Sequence, residues 1–132
     1  MPPDATCSIR LARPTRDLAA AERFWVSGLG LDVLWRTSHA DGAEPDLLMV
    51  GWVGASWHLE LVADPAVKPC PTEEDLLVIY VGEPVDATLV ARLVEAGGLR
   101  VAARNPYWET HGQTIVDPDG YRLVLCTRRW GQ

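Results

Sequence analysis

Hydrophobic residues alternate with polar ones in short runs along this chain, which is the pattern of half-buried β-strands. Two longer segments instead carry apolar residues at helical spacing, one ending near Ser27 and one running from Pro84 to Ala96. Turns that contain glycine or proline separate the runs. The pattern therefore predicts a β-rich α+β fold with one helix in each half of the chain.

The first half predicts the element order β-α-β-β-β. Pro14 ends the first strand, and Thr15 or Asp17 then caps the helix by accepting from its free backbone N–H groups. Gly28-Leu-Gly30 ends the helix, and Asp41-Gly42 predicts a hairpin between the second and third strands. The four predicted strands of this half are residues 8–13, 31–37, 46–52 and 57–63.

The second half repeats this order after a linker. Prolines at positions 65, 69 and 71 make residues 64–74 unsuitable for a helix or a central strand. Gly30-Leu-Asp-Val33 then matches Gly98-Leu-Arg-Val101, and His58-Leu-Glu-Leu-Val62 matches Arg122-Leu-Val-Leu-Cys126. Such a repeat predicts two tandem modules, about 8–63 and 75–127, within one domain spanning 1–132. The predicted elements of the second module are a strand at 76–81, a helix at 84–96 and strands at 99–103, 112–116 and 121–127.

Composition narrows the choice of partners and compartment. The net charge of −6 disfavours nucleic acid and anionic membranes. No apolar run approaches the roughly 20 residues that span a bilayer, and we see no secretory signal pattern, so we expect a cytoplasmic protein. The three cysteines have no paired spacing, which argues against a disulfide framework or a zinc site.

Several short motifs along the chain occur together in one known superfamily. They are Pro14-Thr-Arg-Asp-Leu18, Gly28-Leu-Gly-Leu31, His58-Leu-Glu-Leu61 and Asp117-Pro-Asp-Gly120. With them the chain resembles the vicinal oxygen chelate superfamily of glyoxalase I, bleomycin-resistance proteins and extradiol dioxygenases. Arg13-Pro-Thr15 and Asn105-Pro-Tyr-Trp-Glu109 resemble a narrower subgroup of uncharacterised bacterial members. The resemblance implies two βαβββ modules in tandem, forming a curved mixed sheet around a cavity, and a homodimer.

The resemblance also implies where a metal ion would be held. In the metalloenzymes of this superfamily, His, Gln or Glu side chains on the first and fourth strands of each module bind a divalent ion. Here those positions fall on Arg10, Glu60, Leu76 and Val124. Only Glu60 can coordinate a cation, because arginine offers no lone pair and the other two are apolar. We therefore predict no metal site and no cofactor.

One alternative keeps a divalent metal. His58 and Glu60 are two residues apart on a strand, so their side chains point to the same face. A third group, such as Glu109 or His111, would have to complete such a site.

Strand alternation places Arg10, His58, Glu60 and Tyr80 on the predicted cavity face. Arg10 and Glu60 either form a buried pair in which each residue only neutralises the charge of the other, or they act on a ligand. In the second case Arg10 binds an anionic or carbonyl group while His58 or Glu60 moves a proton. Both interpretations remain open from the sequence.

Tyr107, Trp108, Glu109 and His111 lie in a predicted loop before the seventh strand. The aromatic pair predicts either a flat wall for a planar ligand or an anchor that fixes the loop to the fold.

These residues together predict a glyoxalase/bleomycin-resistance-like protein that binds a small organic molecule in a cavity without the usual metal. The first alternative is a lyase or isomerase of glyoxalase type, or a dioxygenase-like enzyme, that uses His58 and Glu60. The second is a partner-binding protein whose cavity is filled by Leu76, Val78, Val124 and the Tyr107–Trp108 pair. The candidate binding residues are Arg10, His58, Glu60, Tyr80, Tyr107, Trp108 and Glu109.

Overall fold

The computed structural model describes residues 1–39 and 44–131, so the predicted Asp41-Gly42 turn lies outside the described residues. Helix α1 is continued by a π-helical segment, Arg23–Gly28, before the second strand begins. The elements in chain order are β1 (Ile9–Pro14), α1 (Leu18–Glu22), β2 (Asp32–Thr37), β3 (Asp46–Gly51), β4 (Trp57–Ala63), β5 (Leu76–Tyr80), α2 (Ala87–Glu95), β6 (Leu99–Val101), α3 (Pro106–His111), β7 (Gly112–Val116) and β8 (Arg122–Cys126).

The strands form two four-stranded mixed sheets with the same topology. Their orders are β1-β4-β3-β2 and β5-β8-β7-β6, and the first and last strand of each module pair in parallel. The predicted α+β fold of two tandem βαβββ modules is therefore confirmed. Among the described residues, every helix falls short of the length and apolar character that a membrane span requires.

Short-range signals explain where the structure departs from the predicted elements. Residues 106–111 form helix α3, so the predicted loop at this position is wrong. The Asn105 side chain accepts from the Tyr107 N–H at 2.9 Å, and Pro106 follows at the first helical turn. This is an N-cap followed by a proline that needs no N–H partner. Helix α2 also begins later than predicted, at Ala87, because Asp86 caps it.

Both modules share one hydrophobic core on the helical side of the sheets. Gly28 lies so close to α2 that a Cβ there would come 3.0 Å from Ala96 Cβ. At Gly98 a Cβ would approach the Phe24 ring to 2.7 Å and the Leu93 carbonyl oxygen to 2.8 Å, so this position requires glycine, whereas a side chain at position 28 would force its neighbours to shift. The core residues are Ala21, Phe24, Trp25, Leu31, Leu48, Val50, Leu59, Leu61, Leu93, Ile115, Leu123 and Leu125.

A polar clasp joins the end of β1 to the turn between β7 and β8. The Thr15 hydroxyl donates to Asp119 Oδ2 at 2.5 Å, and the Arg16 backbone N–H donates to Asp119 Oδ1 at 2.9 Å. The Arg13 guanidinium stacks 4.4 Å from the centre of the Tyr121 ring. Thr15 and Asp119 are both buried, so their hydrogen bond contributes more than an exposed one would. Two motifs that are far apart in sequence therefore hold the modules together.

Thr15→Val should destabilise the protein by about 1–3 kcal/mol, because it leaves the buried Asp119 carboxylate without its hydroxyl donor. Thr6→Val is the matched control, since the Thr6 hydroxyl also donates to a carboxylate, Asp4, at 2.6 Å on the exposed surface. The control should change the free energy of unfolding by less than about 0.5 kcal/mol. Urea denaturation measures both values, and equal effects would contradict a structural role for the clasp.

Asp117→Asn tests how the charge of Asp117, the other buried carboxyl of this turn, affects the stability of the fold. Burial raises the pKa of Asp117, although two backbone N–H donors act in the opposite direction. The folded state thus favours the neutral form, and this contribution to stability is lost as the pH rises through the raised pKa. We expect Asp117→Asn to melt at or above the parent temperature near pH 7, with the difference shrinking toward about pH 4.

Asp117→Ala provides the contrast, because it removes the oxygen that accepts from the backbone N–H groups of Asp119 and Tyr121, each at 2.9 Å. It should melt below the parent at every pH in a differential scanning fluorimetry series. A large loss of stability in Asp117→Asn at neutral pH would mean that the charge attraction to Arg13 outweighs the burial.

Candidate functional site

Three of the predicted site residues come together on the first module. Parallel pairing of β1 and β4 sets Arg10 beside His58, and Glu60 follows two residues along β4. Arg10 Nε donates to His58 Nε2 at 2.9 Å, and Arg10 Nη1 lies 3.8 Å from Glu60 Oε2. The Arg10 side chain is 51% exposed and that of Glu60 is 14% exposed, so the two residues pair but the pair is only partly buried.

The hydrogen bond from Arg10 determines how His58 can act. A guanidinium only donates, so the Nε2 atom that receives it must carry a lone pair. His58 is then a neutral imidazole with its proton on Nδ1. Within the described part of the chain, no protein group accepts a hydrogen bond from that Nδ1–H. His58 can therefore donate one hydrogen bond to a bound molecule.

The donor set does not fit the metal ion of the superfamily. Arg10 and Leu76 hold equivalent positions in the two sheets, and Glu60 and Val124 do likewise. The Arg10 guanidinium lies beside the one usable ligand, Glu60, and would repel a cation. The described residues contain no group of three His, Cys, Asp or Glu side chains that could hold a metal.

The proposed third ligands are engaged elsewhere. Glu109 Oε2 accepts from the Ala103 backbone N–H at 2.7 Å, which fixes the start of α3. The His111 ring lies 4.7 Å from the Tyr107 ring. Neither residue joins His58 and Glu60, so the alternative metal set is not assembled in this chain.

Helix α3 covers the second module at the place that corresponds to the polar face of the first. Trp108 lies over a space that Leu76, Thr114 and Val124 also line, and this space has no room for a water molecule. Trp108 is therefore an anchor that fills the face, as one of the two interpretations of this segment predicted. Val78 and Tyr107 do not line this space, so only part of the set predicted for a closed cavity is found there.

A series of aromatic contacts extends from α3 to the end of β5. The ring centroids of Tyr107 and Trp108 are 5.0 Å apart, and those of Trp108 and Tyr80 are 6.3 Å apart. Tyr80 also contacts Trp130 at 5.7 Å, a residue that the sequence did not single out. Tyr80 also lines a groove on the protein surface.

That groove lies between the edge strands β1 and β5 and has a volume of about 560 Å³. Trp52 and Trp57 line it with perpendicular rings whose centroids are 5.4 Å apart. Two of the predicted binding residues, His58 and Tyr80, line it, and apart from the tryptophan indoles they are its only polar side chains among the described residues. The remaining lining residues are Ile9, Leu11, Leu77, Val78 and Ile79.

Sequence reasoning missed most of this groove because it followed one face of each strand. Ile9 and Leu11, which alternate with Arg10 in β1, are 65% and 45% exposed. The signal that was available is the apolar strand predicted at 76–81, together with tryptophans on both sides of the turn at 53–56.

Comparisons with known proteins agree with this fold. The YycE-like N-terminal domain family matches residues 9–62, and the YycE-like C-terminal domain family matches residues 74–127. The uncharacterized protein YycE of Bacillus subtilis strain 168 is 39% identical over 124 residues, covering 92% of this chain and 88% of that protein.

Solved structures give the same result. A YycE protein of unknown function from Bacillus subtilis superposes with a TM-score of 0.83 at 36% identity, covering 96% of this chain and 94% of that one. TnmS3, an antibiotic-binding protein from Streptomyces sp. CB03234, gives 0.58 at 26% identity, covering 89% and 91%. Glyoxalase I and fosfomycin resistance proteins share the fold at 8–21% identity.

The two sheets and these likenesses define a protein of the vicinal oxygen chelate superfamily, as the motifs predicted. Within the superfamily, the chain belongs to the YycE-like family.

Trp108→Ala should destabilise the protein by about 3 kcal/mol, because it empties the space over Val124 and Leu76. Trp130→Ala is the matched control, since Trp130 is 83% exposed and should change stability by less than about 0.5 kcal/mol. Chemical denaturation gives both values. Similar losses for the two variants would show that Trp108 does not fill the face of the second module.

Proposed function

We propose that this protein binds a small organic molecule in the groove between β1 and β5, without a bound metal. The observation that carries the proposal is the groove itself. Its volume of about 560 Å³ lies within the roughly 300–1,000 Å³ range of ligand pockets. An apolar, aromatic-lined wall with few polar groups is also typical of such pockets.

The relatives support binding of this kind. TnmS3, which shares the fold at 26% identity, is named as an antibiotic-binding protein. A glyoxalase/bleomycin resistance protein from the same Streptomyces strain has a TM-score of 0.55 and 26% identity. Small-molecule binding is thus a function that this fold performs at a comparable sequence distance, and we extend it to the groove between β1 and β5.

The metal-free part of the proposal rests on the side chains of this chain. Arg10 occupies a ligand position of the superfamily and donates to His58, so the Nε2 lone pair of the imidazole is already hydrogen-bonded. Leu76 and Val124 occupy the equivalent positions of the second module, beneath Trp108. A ligand in the groove would be held by shape and hydrogen bonds.

A thermal-shift screen of aromatic and polycyclic compounds, run with chelator present, tests the proposal. We expect several compounds to raise the melting temperature of the parent. Trp52→Ala should abolish these shifts, because it removes one of the two tryptophans that line the groove. Val53→Ala is the control: Val53 is 80% exposed in the turn beside Trp52 and does not line the groove, so its loss should leave the shifts intact.

The same thermal-shift measurement with metal ions tests whether the protein acts without a bound metal. Stabilisation by Ni²⁺, Zn²⁺ or Mn²⁺ of several degrees, lost in Glu60→Gln, would instead favour an enzyme that uses His58 and Glu60. Shifts that survive Trp52→Ala would place ligand binding outside the groove.

We also propose that the protein forms a homodimer. The sheet face that carries Arg10 and Glu60 lies opposite the shared core, and Trp35 remains 61% exposed. Exposed tryptophan on a sheet is a common feature of protein contacts. Light scattering coupled to size exclusion should give twice the 14.5 kDa chain mass at high micromolar concentration. A single monomer peak would contradict the dimer.

A further inference from the structure

We infer that the groove selects neutral, largely apolar molecules that carry a carbonyl-type acceptor, and that His58 binds this acceptor through its Nδ1–H. The inference rests on the proposed binding of a small molecule in the groove and adds the chemical class of that molecule. The hydrogen bond that Arg10 donates to His58 and the apolar character of the groove walls support it.

The hydrogen bond from Arg10 determines which ring nitrogen of His58 carries the proton. Arg10 Nε approaches His58 Nε2 at 2.9 Å and can only donate there. The proton of the neutral ring is therefore on Nδ1, and no described protein group accepts from it. Since His58 lines the groove, a ligand oxygen can satisfy this donor. A carbonyl oxygen accepts without bringing a proton of its own.

The groove lining carries no charged side chain within the described ranges, which disfavours charged ligands. Arg10 and Glu60 lie 3.8 Å apart and offset one another, so the polar end of the groove carries no net charge while His58 is neutral. No carboxylate belongs to the groove lining within the described ranges. A cationic ligand would lack a counter-charge in this lining. An anion would lose its hydration against an apolar wall, which is costly.

The roles of Arg10 and Glu60 follow from this geometry. Neither residue lines the groove. Arg10 fixes the tautomer of His58, and Glu60 holds the guanidinium in place. Both are positioning residues that act through the imidazole.

Three naphthalene probes of nearly equal size test the ligand class: 2-acetylnaphthalene, 2-ethylnaphthalene and 1-(2-naphthyl)ethylamine. They offer a neutral carbonyl, no polar group and a cation, respectively. Isothermal titration near pH 8 measures their dissociation constants. We expect the ketone to bind roughly five- to tenfold more tightly than the hydrocarbon, the difference that one hydrogen bond makes. The amine should bind more weakly than the hydrocarbon.

His58→Phe should remove the preference for the ketone while leaving the affinity for the hydrocarbon within about twofold, because the ring volume is kept. His111→Phe is the matched control, since His111 contacts Tyr107 outside the groove and should keep the preference. A ketone preference that persists in His58→Phe would overturn the inference.

Long-range ¹H–¹⁵N spectra of the imidazole provide a test that does not depend on ligand or on a substitution at His58. We expect the Nδ1–H tautomer in the parent. Arg10→Met should redistribute the proton toward Nε2 without unfolding the chain, which a purely structural role would not do. The Nε2–H tautomer in the parent would overturn the inference.

The outcomes separate this inference from the proposed function. Equal affinities for the three probes, each lost in Trp52→Ala, would leave the groove as the binding site and overturn the selection for a carbonyl. No binding of any probe at its solubility limit would count against both the groove and the inference.

Discussion

The contact between the two helical layers determines how the rest of this structure is arranged. Gly28 and Gly98 let the helices approach until Phe24 and Leu93 pack into one core with both sheets. Because apolar surface is buried on the helical side, the opposite face of each sheet lies outside this shared core. One face is polar and open, and the other is covered by α3.

The duplicated modules have thus become unequal at equivalent positions. The first retains three interacting polar side chains, Arg10, His58 and Glu60. The second places Trp108 over Leu76 and Val124. Of the four ligand positions of the superfamily in this chain, only Glu60 of the first module carries a group that can coordinate a cation. The groove beside that module provides the volume that a ligand needs.

Much of the fold could be predicted from sequence because its signals are local. Strand alternation, the Asp17 cap and the repeated segments indicated the element order, and Arg10 was correctly set beside His58 and Glu60. Helix α3 was missed because six residues are too few for a periodic signal, although its Asn-Pro start was visible. The groove was missed because it depends on how two edge strands face one another, a relation between modules that no local pattern contains.

The helix over the second module also limits how this chain could regain a metal. Side chains at positions 76 and 124 are sheltered beneath Trp108, so ligand-type residues placed there would meet an indole instead of a metal. Restoring a four-ligand site would require Trp108 to move away from these two positions. A ligand-type substitution at position 76 or 124 alone would disturb the packing under the indole without completing a site.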